Sequence, residues 1–302
     1  MKAVRIHGYG GPQVLRYEDA PEPAVAADTV LIELVATSVN PIDWKIRSGA
    51  RQKDFPLQLP AILGKDVSGI VRAVGSDVRG FSAGDRVIAL ADASYAELVA
   101  VPAAAVTLLP DGVDPIDAAA LPLAVATGDQ LVRLATQAEA GQIILVSGAL
   151  GSVGRAAVHA AKKVGAKVIA GVRGSQLAEA ERLDLERTLA IDDDDAIARL
   201  EQVDGVADTV GGATAAKLLA KVRRGGRFGY ASVLPEDAAQ DPSVTVTRVF
   251  ASADPATLRA FAEDVCDGTF VLPVSRRLPL GEAAAAHARL EQGGGGKVVL
   301  TP

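Results

Sequence analysis

Apolar residues in the first third of the chain come in short runs that Gly, Asp and Pro interrupt. The runs lie in the segments MKAVRIHGY, TVLIELVATSVN, DVSGIVRAVG, GDRVIAL and SYAELVAVP. Short apolar runs with this punctuation are typical of β-strands joined by tight turns. Residues 1–112 are therefore predicted to form a compact β-rich domain.

From about Asp114 the pattern changes to an alternation of helical and strand-like periods. It predicts helices near 115–137, 151–164, 176–186 and 255–266, and strands near 142–147, 167–172, 188–191, 206–209 and 227–231. Such alternation favours a parallel sheet covered by helices on both faces. The last apolar segment, KVVL, is expected to rejoin the β-rich domain, and the glycine run at 293–296 is interpreted as a loop.

Composition narrows the class of protein. The chain has 302 residues, of which 49% are hydrophobic and 23% charged, and no apolar run approaches the length of a bilayer span, so we expect a soluble protein with no membrane partner. The net charge is −6 and the basic residues are scattered, which argues against a nucleic-acid partner. Cys266 is the single cysteine, and the first residues lack the apolar core of a signal peptide. A reducing cytoplasm is the expected location.

A glycine-rich turn follows the predicted strand QIILVS. There Gly148 precedes the pattern Ala149-x-Gly151-x-x-Gly154, and a helical period follows at once. In a strand-turn-helix context this spacing predicts a dinucleotide site, because the glycines admit a pyrophosphate and the helix N-terminus faces its charge. The alternative is a tight turn that binds nothing.

The end of the next strand indicates which dinucleotide is bound. Sites for NAD carry an Asp or Glu about 20 residues after the first glycine, whereas the corresponding segment here, GVRGS at 171–175, contains no acid. Arg173 and Ser175 offer a cation and a hydroxyl donor, as a 2′-phosphate requires. The sequence therefore favours NADP(H). The alternative for Arg173 is an ordinary surface arginine.

Several motifs together resemble one family over nearly the whole chain. They are NPIDWKIRSG, LPAILGKDVSGIVRAVG, GDRVIA, SYAELVAVP, DAAALPLAVAT, GALGSVG and DTVGG. They resemble the zinc-independent medium-chain dehydrogenase/reductases, in the branch of quinone oxidoreductases (ζ-crystallin-like) and enone reductases. The resemblance implies an α/β fold with a GroES-like β-rich catalytic domain (1–112 and 254–302) and a Rossmann domain with a doubly wound parallel sheet (113–253). It also implies a cleft between the domains and a homodimer joined through a strand near 244–250.

The resemblance also implies roles for individual residues. Asn40 is expected near the nicotinamide and substrate, Asp43 supports that turn, and Lys45 matches a lysine of the enone-reducing relatives. The alternatives are a merely turn-forming Asn40 and a solvent-facing Lys45. The residues expected to bind the cofactor are Thr127, Gly148, Ala149, Gly151, Ser152, Val153, Arg173, Ser175, Val210, Gly211 and Ser232.

Zinc is not expected in this chain. Where the family's alcohol dehydrogenases have a Cys, a His and a Glu, this sequence has Asn40, Lys65 and Asp66, and no four-cysteine lobe follows Val87. A zinc ion at these positions would therefore lack both the thiolate and the imidazole ligand that it has in the alcohol dehydrogenases. Without zinc, a quinone or an α,β-unsaturated carbonyl suits hydride transfer, because conjugation spreads the developing negative charge.

Three positions depart from the family pattern. Family members often have an aromatic residue near Asp129, a tyrosine is common where Asp193 stands, and some relatives use a lysine for the 2′-phosphate where this chain has Leu177. Arg173 is expected to compensate for that lysine. The interpretation is therefore an NADPH-dependent, zinc-free quinone or enone oxidoreductase acting on a small molecule. The alternatives are a biosynthetic enoyl or ketone reductase for one metabolite and a non-catalytic NADPH-binding protein.

Overall fold

A computed structural model describes residues 1–238, 241–293 and 296–302. They form two compact units, one made of residues 1–123 and 253–302 and the other of residues 124–252. The middle of the glycine run, 294–295, lies outside the described residues. Of the helices in the described ranges, none combines the length and the hydropathy that crossing a bilayer requires.

Strands make up most of the first unit and the centre of the second. In chain order they are β1 (Lys2–Ile6), β2 (Leu15–Asp19), β3 (Thr29–Val39), β4 (Ala61–Ile62), β5 (Asp66–Val74), β6 (Arg86–Leu90), β7 (Leu98–Pro102), β8 (Val106–Leu108), β9 (Ile143–Ser147), β10 (Lys167–Val172), β11 (Arg187–Ala190), β12 (Val203–Asp208), β13 (Val222–Tyr230), β14 (Thr245–Arg248), β15 (Val274–Pro279) and β16 (Lys297–Thr301). The α-helices are α1 (Pro41–Arg47), α2 (Pro115–Ala118), α3 (Pro122–Gln130), α4 (Ser152–Lys163), α5 (Leu177–Ala180), α6 (Asp194–Ala198), α7 (Gly212–Leu219), α8 (Pro255–Cys266) and α9 (Ala283–Glu291).

The first unit is built on a seven-stranded sheet in the order β15-β16-β3-β5-β6-β8, with β7 paired to β3. A second sheet has the order β2-β1-β4. Strand β3 is the centre of the larger sheet, since it pairs antiparallel with β5, β7 and β16. The pairing of β16 with β3 confirms that the last apolar segment rejoins the β-rich part of the chain.

The second unit is a parallel sheet in the order β11-β10-β9-β12-β13-β14. From β9 the chain moves outward to β10 and β11, and then returns to β12 on the other side of β9. The carboxyl ends of β9 and β12 therefore flank the point where the strand order reverses, which is where ligands bind in sheets of this kind. The α/β fold class predicted from the sequence is confirmed.

Residues 113–123 lie in the first unit, whereas the sequence pattern assigned them to the second. Two long-range contacts hold them there. The Leu123 backbone N–H donates to Asp66 Oδ1 at 2.7 Å, and Arg277 pairs with Asp117 at 2.7 Å. Local periodicity carries no information about contacts of this sequence separation.

The helix predicted over 115–137 is wrong in its continuity. It is divided into α2, α3 and a π-helix at Leu131–Thr136. Pro122 begins α3, because a proline has no N–H for the preceding turn and its ring clashes with that turn. The helix predicted over 176–186 is also shorter, since α5 has a 3₁₀ turn on each side and Asp184 leaves the helical region with φ +49°.

Candidate functional site

The glycine loop joins β9 to α4 and requires glycine at two positions. Gly148 has φ +68°, and a Cβ there would lie 2.5 Å from Thr209 Oγ1. A Cβ on Gly154 would overlap the carbonyl oxygen of Gly148. The first position thus allows the turn, and the second allows the helix to pack closely on the loop.

The loop presents the N-terminus of α4. Gly151 precedes the helix, and within the described part of the chain no side chain caps it. The first backbone N–H groups of a helix, here those of Ser152 and Val153, have no acceptor inside the helix, and the helix dipole adds positive potential. Hydrogen bonds of 2.8 Å, from Gly151 N to the Gly148 carbonyl and from Gly148 N to the Gly171 carbonyl, fix the loop. This arrangement suits a phosphate group.

A buried polar pair supports the loop from behind. Ser147 Oγ, at the end of β9, donates to Asp208 Oδ1 at 2.5 Å, at the end of β12. Asp208 also accepts from the Gly211 N–H at 2.9 Å, and Thr209 Oγ1 donates to the Ser147 carbonyl at 2.7 Å. Burial raises the pKa of Asp208, and its hydrogen bonds oppose that shift. The pair therefore ties the two strand ends together at the reversal point.

Three predicted cofactor residues meet beside this pair. Gly211 has φ +81°, and a Cβ there would lie 2.7 Å from Ser232 Oγ. Val210 is 45% exposed, and its Cγ2 lies 3.2 Å from the position of a Cβ on Gly148. The structure thus places Val210 against the glycine loop and Ser232 against Gly211. Ala149 is fully buried in the loop.

Thr127 lies in α3, next to the point where that helix meets α4. A Cβ on Gly128 would come 2.6 Å from the Val153 carbonyl oxygen, so the two helices are in close contact. Thr127 itself is 8% exposed. The predicted cofactor residue is therefore buried one position away from a contact with the first turn of α4.

Arg173 and Ser175 follow β10 and are exposed. The turn is fixed by the Gln176 N–H donating to the Arg173 carbonyl at 2.8 Å. The Gly174 N–H donates to Asp192 Oδ1 at 2.7 Å. Although residues 171–175 contain no acid, the fold thus brings a carboxylate against them from the end of β11. The sequence interpretation treated Asp192 as part of a solvated loop, 192–195, and did not place it at this site.

In the first unit, Asn40 marks the change from β3 to α1. It is the N-cap, Pro41 is the first helical residue, and Asp43 Oδ2 accepts from the Asn40 N–H at 2.8 Å. Such a sequence, Asn-Pro-x-Asp, is a helix start signal. The segment was interpreted as a turn, so α1 is a correction to the prediction.

Both ends of the Asn40 amide are bonded inside the protein. Its Oδ1 accepts from Lys297 Nζ at 2.6 Å, and its Nδ2 donates to Asp66 Oδ2 at 2.6 Å. The residue is 5% exposed. Asp66 also accepts from Ser38 Oγ and from the Leu123 N–H. These contacts hold the Asn40 side chain in one orientation.

Asp43 begins a chain of buried polar groups. Tyr95 OH donates to Asp43 Oδ2 at 3.1 Å and lies 3.1 Å from His287 Nε2, while Arg47 donates to His287 Nδ1 at 3.3 Å. Arg47 is also paired with Glu291. With Nδ1 accepting, the ring proton is assigned to Nε2, which donates to the tyrosine oxygen.

Burial governs the ionisation of this chain. Burial raises the pKa of Asp43 to about 7, against the lowering effect of the hydrogen bond from Asn40. Burial and then the charge of Arg47 lower the pKa of His287 to about 3, so the ring is neutral at pH 7. Asp43 Oδ1 is buried and has no hydrogen-bond partner among the described residues. The carboxyl group therefore gains and loses a proton near neutral pH.

Lys45 is separate from the buried chain, although it lies on the same helix. Asp43 and Arg47, four residues apart, share the buried face of α1. Lys45 is half-buried, and its Nζ lies 5.7 Å from the centre of the Trp44 ring. Burial and then the charge of Arg51 lower the pKa of the Lys45 ammonium.

Sequence reasoning missed several of these residues. Ser147 and Asp208 each end an apolar strand, and a polar residue in such a run was the available signal. Tyr95, His287 and Lys297 gave no comparable local signal, because their partners are 52 to 257 positions away. Only the folded chain brings them to α1.

Two family profiles match the chain. The alcohol dehydrogenase GroES-like domain matches residues 26–111, and a profile described as zinc-binding dehydrogenase matches residues 180–300.

The residues present do not fit zinc. The Asn40 amide is bonded at both ends, and the Lys297 ammonium lies 3.5 Å from Asp66 Oδ2. The described ranges hold no group of three or more His, Cys, Asp or Glu residues suited to a metal ion.

Known proteins resemble the chain in sequence and in structure. It is 39% identical to the chloroplastic NADPH-dependent alkenal/one oxidoreductase of Arabidopsis thaliana over 64% of this chain and 51% of that protein. The first curated relatives are matched over only about half of their length. Human quinone oxidoreductase is 30% identical over 99% of this chain and 97% of the human protein. The structure of Escherichia coli quinone oxidoreductase complexed with NADPH has a TM-score of 0.85 at 27% identity, covering all of both chains. The chain therefore belongs to the medium-chain dehydrogenase/reductase family, among the quinone oxidoreductases.

Proposed function

We propose that the chain binds NADP(H) through its second unit and reduces a quinone or an α,β-unsaturated carbonyl compound without a metal. The names of the relatives, quinone oxidoreductase and alkenal/one oxidoreductase, support this substrate class. NADPH, when bound, supplies the hydride. With one proton from solvent, the acceptor becomes a hydroquinone or a saturated carbonyl compound, and NADP⁺ is released.

The glycine loop is the observation that carries the proposal. Gly148 allows the tight turn and Gly154 allows α4 to pack closely on the loop, so that the first turn of α4 offers its N–H groups to a pyrophosphate. Val210 adds an exposed apolar surface beside the loop. Arg173 and Ser175 are the residues proposed to bind the 2′-phosphate, because both are exposed at the end of the neighbouring strand β10.

The first unit is proposed to be the catalytic domain and the second the cofactor domain. Lys45 is the proposed donor to the acceptor oxygen, where negative charge develops as the hydride arrives. Its half-buried ammonium and lowered pKa support this role, since a partly desolvated donor interacts more strongly with an anion. Asn40 and Asp43 position α1, which carries Lys45.

A homodimer and a cytoplasmic location are also proposed. Strand β14 is the last strand in the order of the described six-stranded sheet, and pairing of two such edges would continue the sheet across a dimer. The single cysteine is consistent with a reducing compartment. Size-exclusion chromatography with light scattering would measure the mass in solution.

Turnover is the direct test of the proposal. NADPH oxidation is followed by the loss of its absorbance against a panel of quinones and enones, and NADPH affinity is measured separately by calorimetry. We expect micromolar binding together with turnover of at least one conjugated acceptor, a typical range for a dehydrogenase. Binding without turnover on the whole panel would favour a non-catalytic NADPH-binding protein, and the absence of both would reject the proposal.

Metal removal tests the zinc-free part of the proposal. Because an ammonium lies beside Asp66 and the Asn40 amide is already bonded, we expect no stoichiometric zinc in the purified protein. Dialysis against a chelator should leave activity unchanged. Elemental analysis that finds one zinc per chain, with activity lost on dialysis, would contradict this prediction.

A further inference from the structure

Lys297 carries a charge into the interior of the first unit. It is the first residue of β16, and its side chain is 3% exposed. Its Nζ donates to Asn40 Oδ1 at 2.6 Å and lies 3.5 Å from Asp66 Oδ2, whose side chain is fully buried. Buried charges are rare and are retained when each is paired and hydrogen-bonded, as both are here.

The three side chains come from three different elements. Asn40 lies between β3 and α1 as the N-cap of α1, Asp66 begins β5, and Lys297 begins β16. Asp66 accepts from the Asn40 Nδ2 at 2.6 Å with one carboxylate oxygen, and from the Leu123 N–H at 2.7 Å with the other. The cluster therefore fixes the Asn40 amide in one orientation.

The fixed amide sets the start of α1. Asn40 is the N-cap, and its backbone N–H is held by Asp43 at 2.8 Å. Lys45 is two residues beyond Asp43 on a helix of seven residues. So short a helix has little independent stability. If the cap residue rotates away, the start of α1 unwinds and Lys45 is displaced.

We infer that the Lys297 ammonium is an internal cation that positions Asn40 and Asp66, and through them α1 and Lys45. It acts through Asn40 and is a positioning residue. The inference goes beyond the proposed function and rests on it for the activity readout. The charged side chains that face the ammonium are Asp66 and, farther away, Asp43. Burial lowers the Lys297 pKa, and these two carboxylates oppose that shift.

The test is replacement of Lys297 by alanine followed by chemical rescue. Lys297→Ala removes the ammonium and three methylene groups, which propylammonium can replace in the cavity. We expect kcat on the best acceptor to fall by about 10²-fold, the scale for misplaced catalytic groups, while KM for NADPH changes by less than about threefold. Propylammonium at millimolar concentration should restore kcat at least about tenfold and raise the melting temperature of the variant. The matched control is Lys2→Ala in the same unit, whose ammonium is exposed beside Asp19 and which should keep wild-type values.

The neutral analogue 1-propanol separates charge from cavity filling. Restoration by propylammonium and not by 1-propanol supports an internal cation, and equal restoration by both would overturn it. A Lys297→Ala protein with the stability and kcat of Lys2→Ala would overturn it as well. Because the melting-temperature comparison needs no turnover, it tests whether the buried site needs a cation even if the proposed function fails.

A charge-balanced variant provides a second measurement if Lys297→Ala does not fold. In Lys297→Met with Asp66→Asn, the buried carboxylate loses its charge together with the ammonium. We expect this double variant to be more stable in urea than Lys297→Met alone, because no uncompensated charge remains buried. Equal stability of the two variants would mean that Asp66 needs no cation, which contradicts the inference.

Discussion

The two units prepare polar groups in opposite ways. In the second unit, the polar side chains of Ser147 and Asp208 lie behind the glycine loop, and the backbone of the first turn of α4 faces outward. In the first unit, Asn40, Asp43 and Lys297 bond to one another in the interior. We therefore expect the second unit to bind an anion with its main chain, whereas the buried charges of the first unit hold one short helix in place.

Substitutions in the two units are expected to act by different physical mechanisms. A substitution in the glycine loop acts by steric overlap, because a Cβ on Gly154 meets the Gly148 carbonyl. A substitution in the first unit leaves a partner charge or hydrogen-bonding group buried and unpaired, which is costly even where the new side chain fits. Variants in the two units can therefore separate cofactor binding from catalysis.

The largest expected effect is that of replacing Lys45. The replacement tests whether the first unit acts on the reaction while the second unit binds the cofactor. If the Lys45 ammonium stabilises the developing oxyanion, Lys45→Met should lower kcat by about 10²-fold, the scale for one lost donor. The dissociation constant for NADPH should not change. Steady-state kinetics with the best acceptor and calorimetry with NADPH give both quantities.

Lys53→Met is the matched control, because Lys53 is exposed a few residues after α1. It should retain the wild-type kcat. If Lys45→Met also retained the wild-type kcat, Lys45 would be an ordinary surface lysine. The proposal that the first unit supplies a catalytic donor through Lys45 would then be rejected.

The second effect in size comes from Arg173. A charge-assisted hydrogen bond to a 2′-phosphate contributes roughly 1.5–3 kcal/mol, so Arg173→Ala should weaken NADPH binding by at least about tenfold. NADH lacks that phosphate, and its affinity should change much less. The comparison uses dissociation constants of both cofactors, with Arg182→Ala as a control at an exposed arginine of the same unit. Equal losses of NADPH and NADH would show that Arg173 does not recognise the phosphate.

The same contrast explains how much could be predicted from sequence. The spacing of Gly148, Gly151 and Gly154 after an apolar strand is local, so the loop and the parallel sheet were predicted from the pattern alone. The break at Pro122 and the start of α1 at Asn40 also have local signals, although both were interpreted differently. In contrast, Lys297 is 257 positions from Asn40, and such a pair becomes visible only once the strands are paired.

The third effect concerns the ionisation of His287. Its folded-state pKa of about 3 lies below the ordinary value of 6.5, so between these values the unfolded chain binds more protons. Through this residue, stability is fully present above pH 6.5 and is lost as the pH falls towards 3. His287→Gln cannot titrate. It should therefore cost about 1 kcal/mol for its altered hydrogen bonds at pH 7.5, and clearly less at pH 4.5.

Urea unfolding at the two pH values measures this difference. Asp43 titrates in the opposite sense, because its raised pKa of about 7 makes the folded state take up its proton first as the pH falls. It is present in both proteins, so its contribution largely cancels in the comparison. His7→Gln, at an exposed histidine, should cost less than about 0.5 kcal/mol at either pH. A cost for His287→Gln that does not depend on pH would show that the ring is not held neutral.

The smallest expected effect comes from Asp192, the carboxylate that the fold brings against the segment read as a phosphate site. Its Oδ1 accepts from the Gly174 N–H at 2.7 Å, and asparagine can keep that bond while removing the charge. If the 2′-phosphate binds beside Arg173, the Asp192 charge repels it, and Asp192→Asn should strengthen NADPH binding by about two- to fivefold, the scale for an exposed charge pair. NADH affinity should stay the same, and the NADPH gain should shrink at high salt because exposed charges are screened.

Asp184→Asn is the control, since this exposed residue has φ +49°, a conformation that asparagine tolerates. Weaker NADPH binding in Asp192→Asn would mean that the carboxylate orients the turn instead of opposing the ligand. Cofactor binding by the second unit would then depend on the Asp192 side chain as well as on the main chain of the glycine loop.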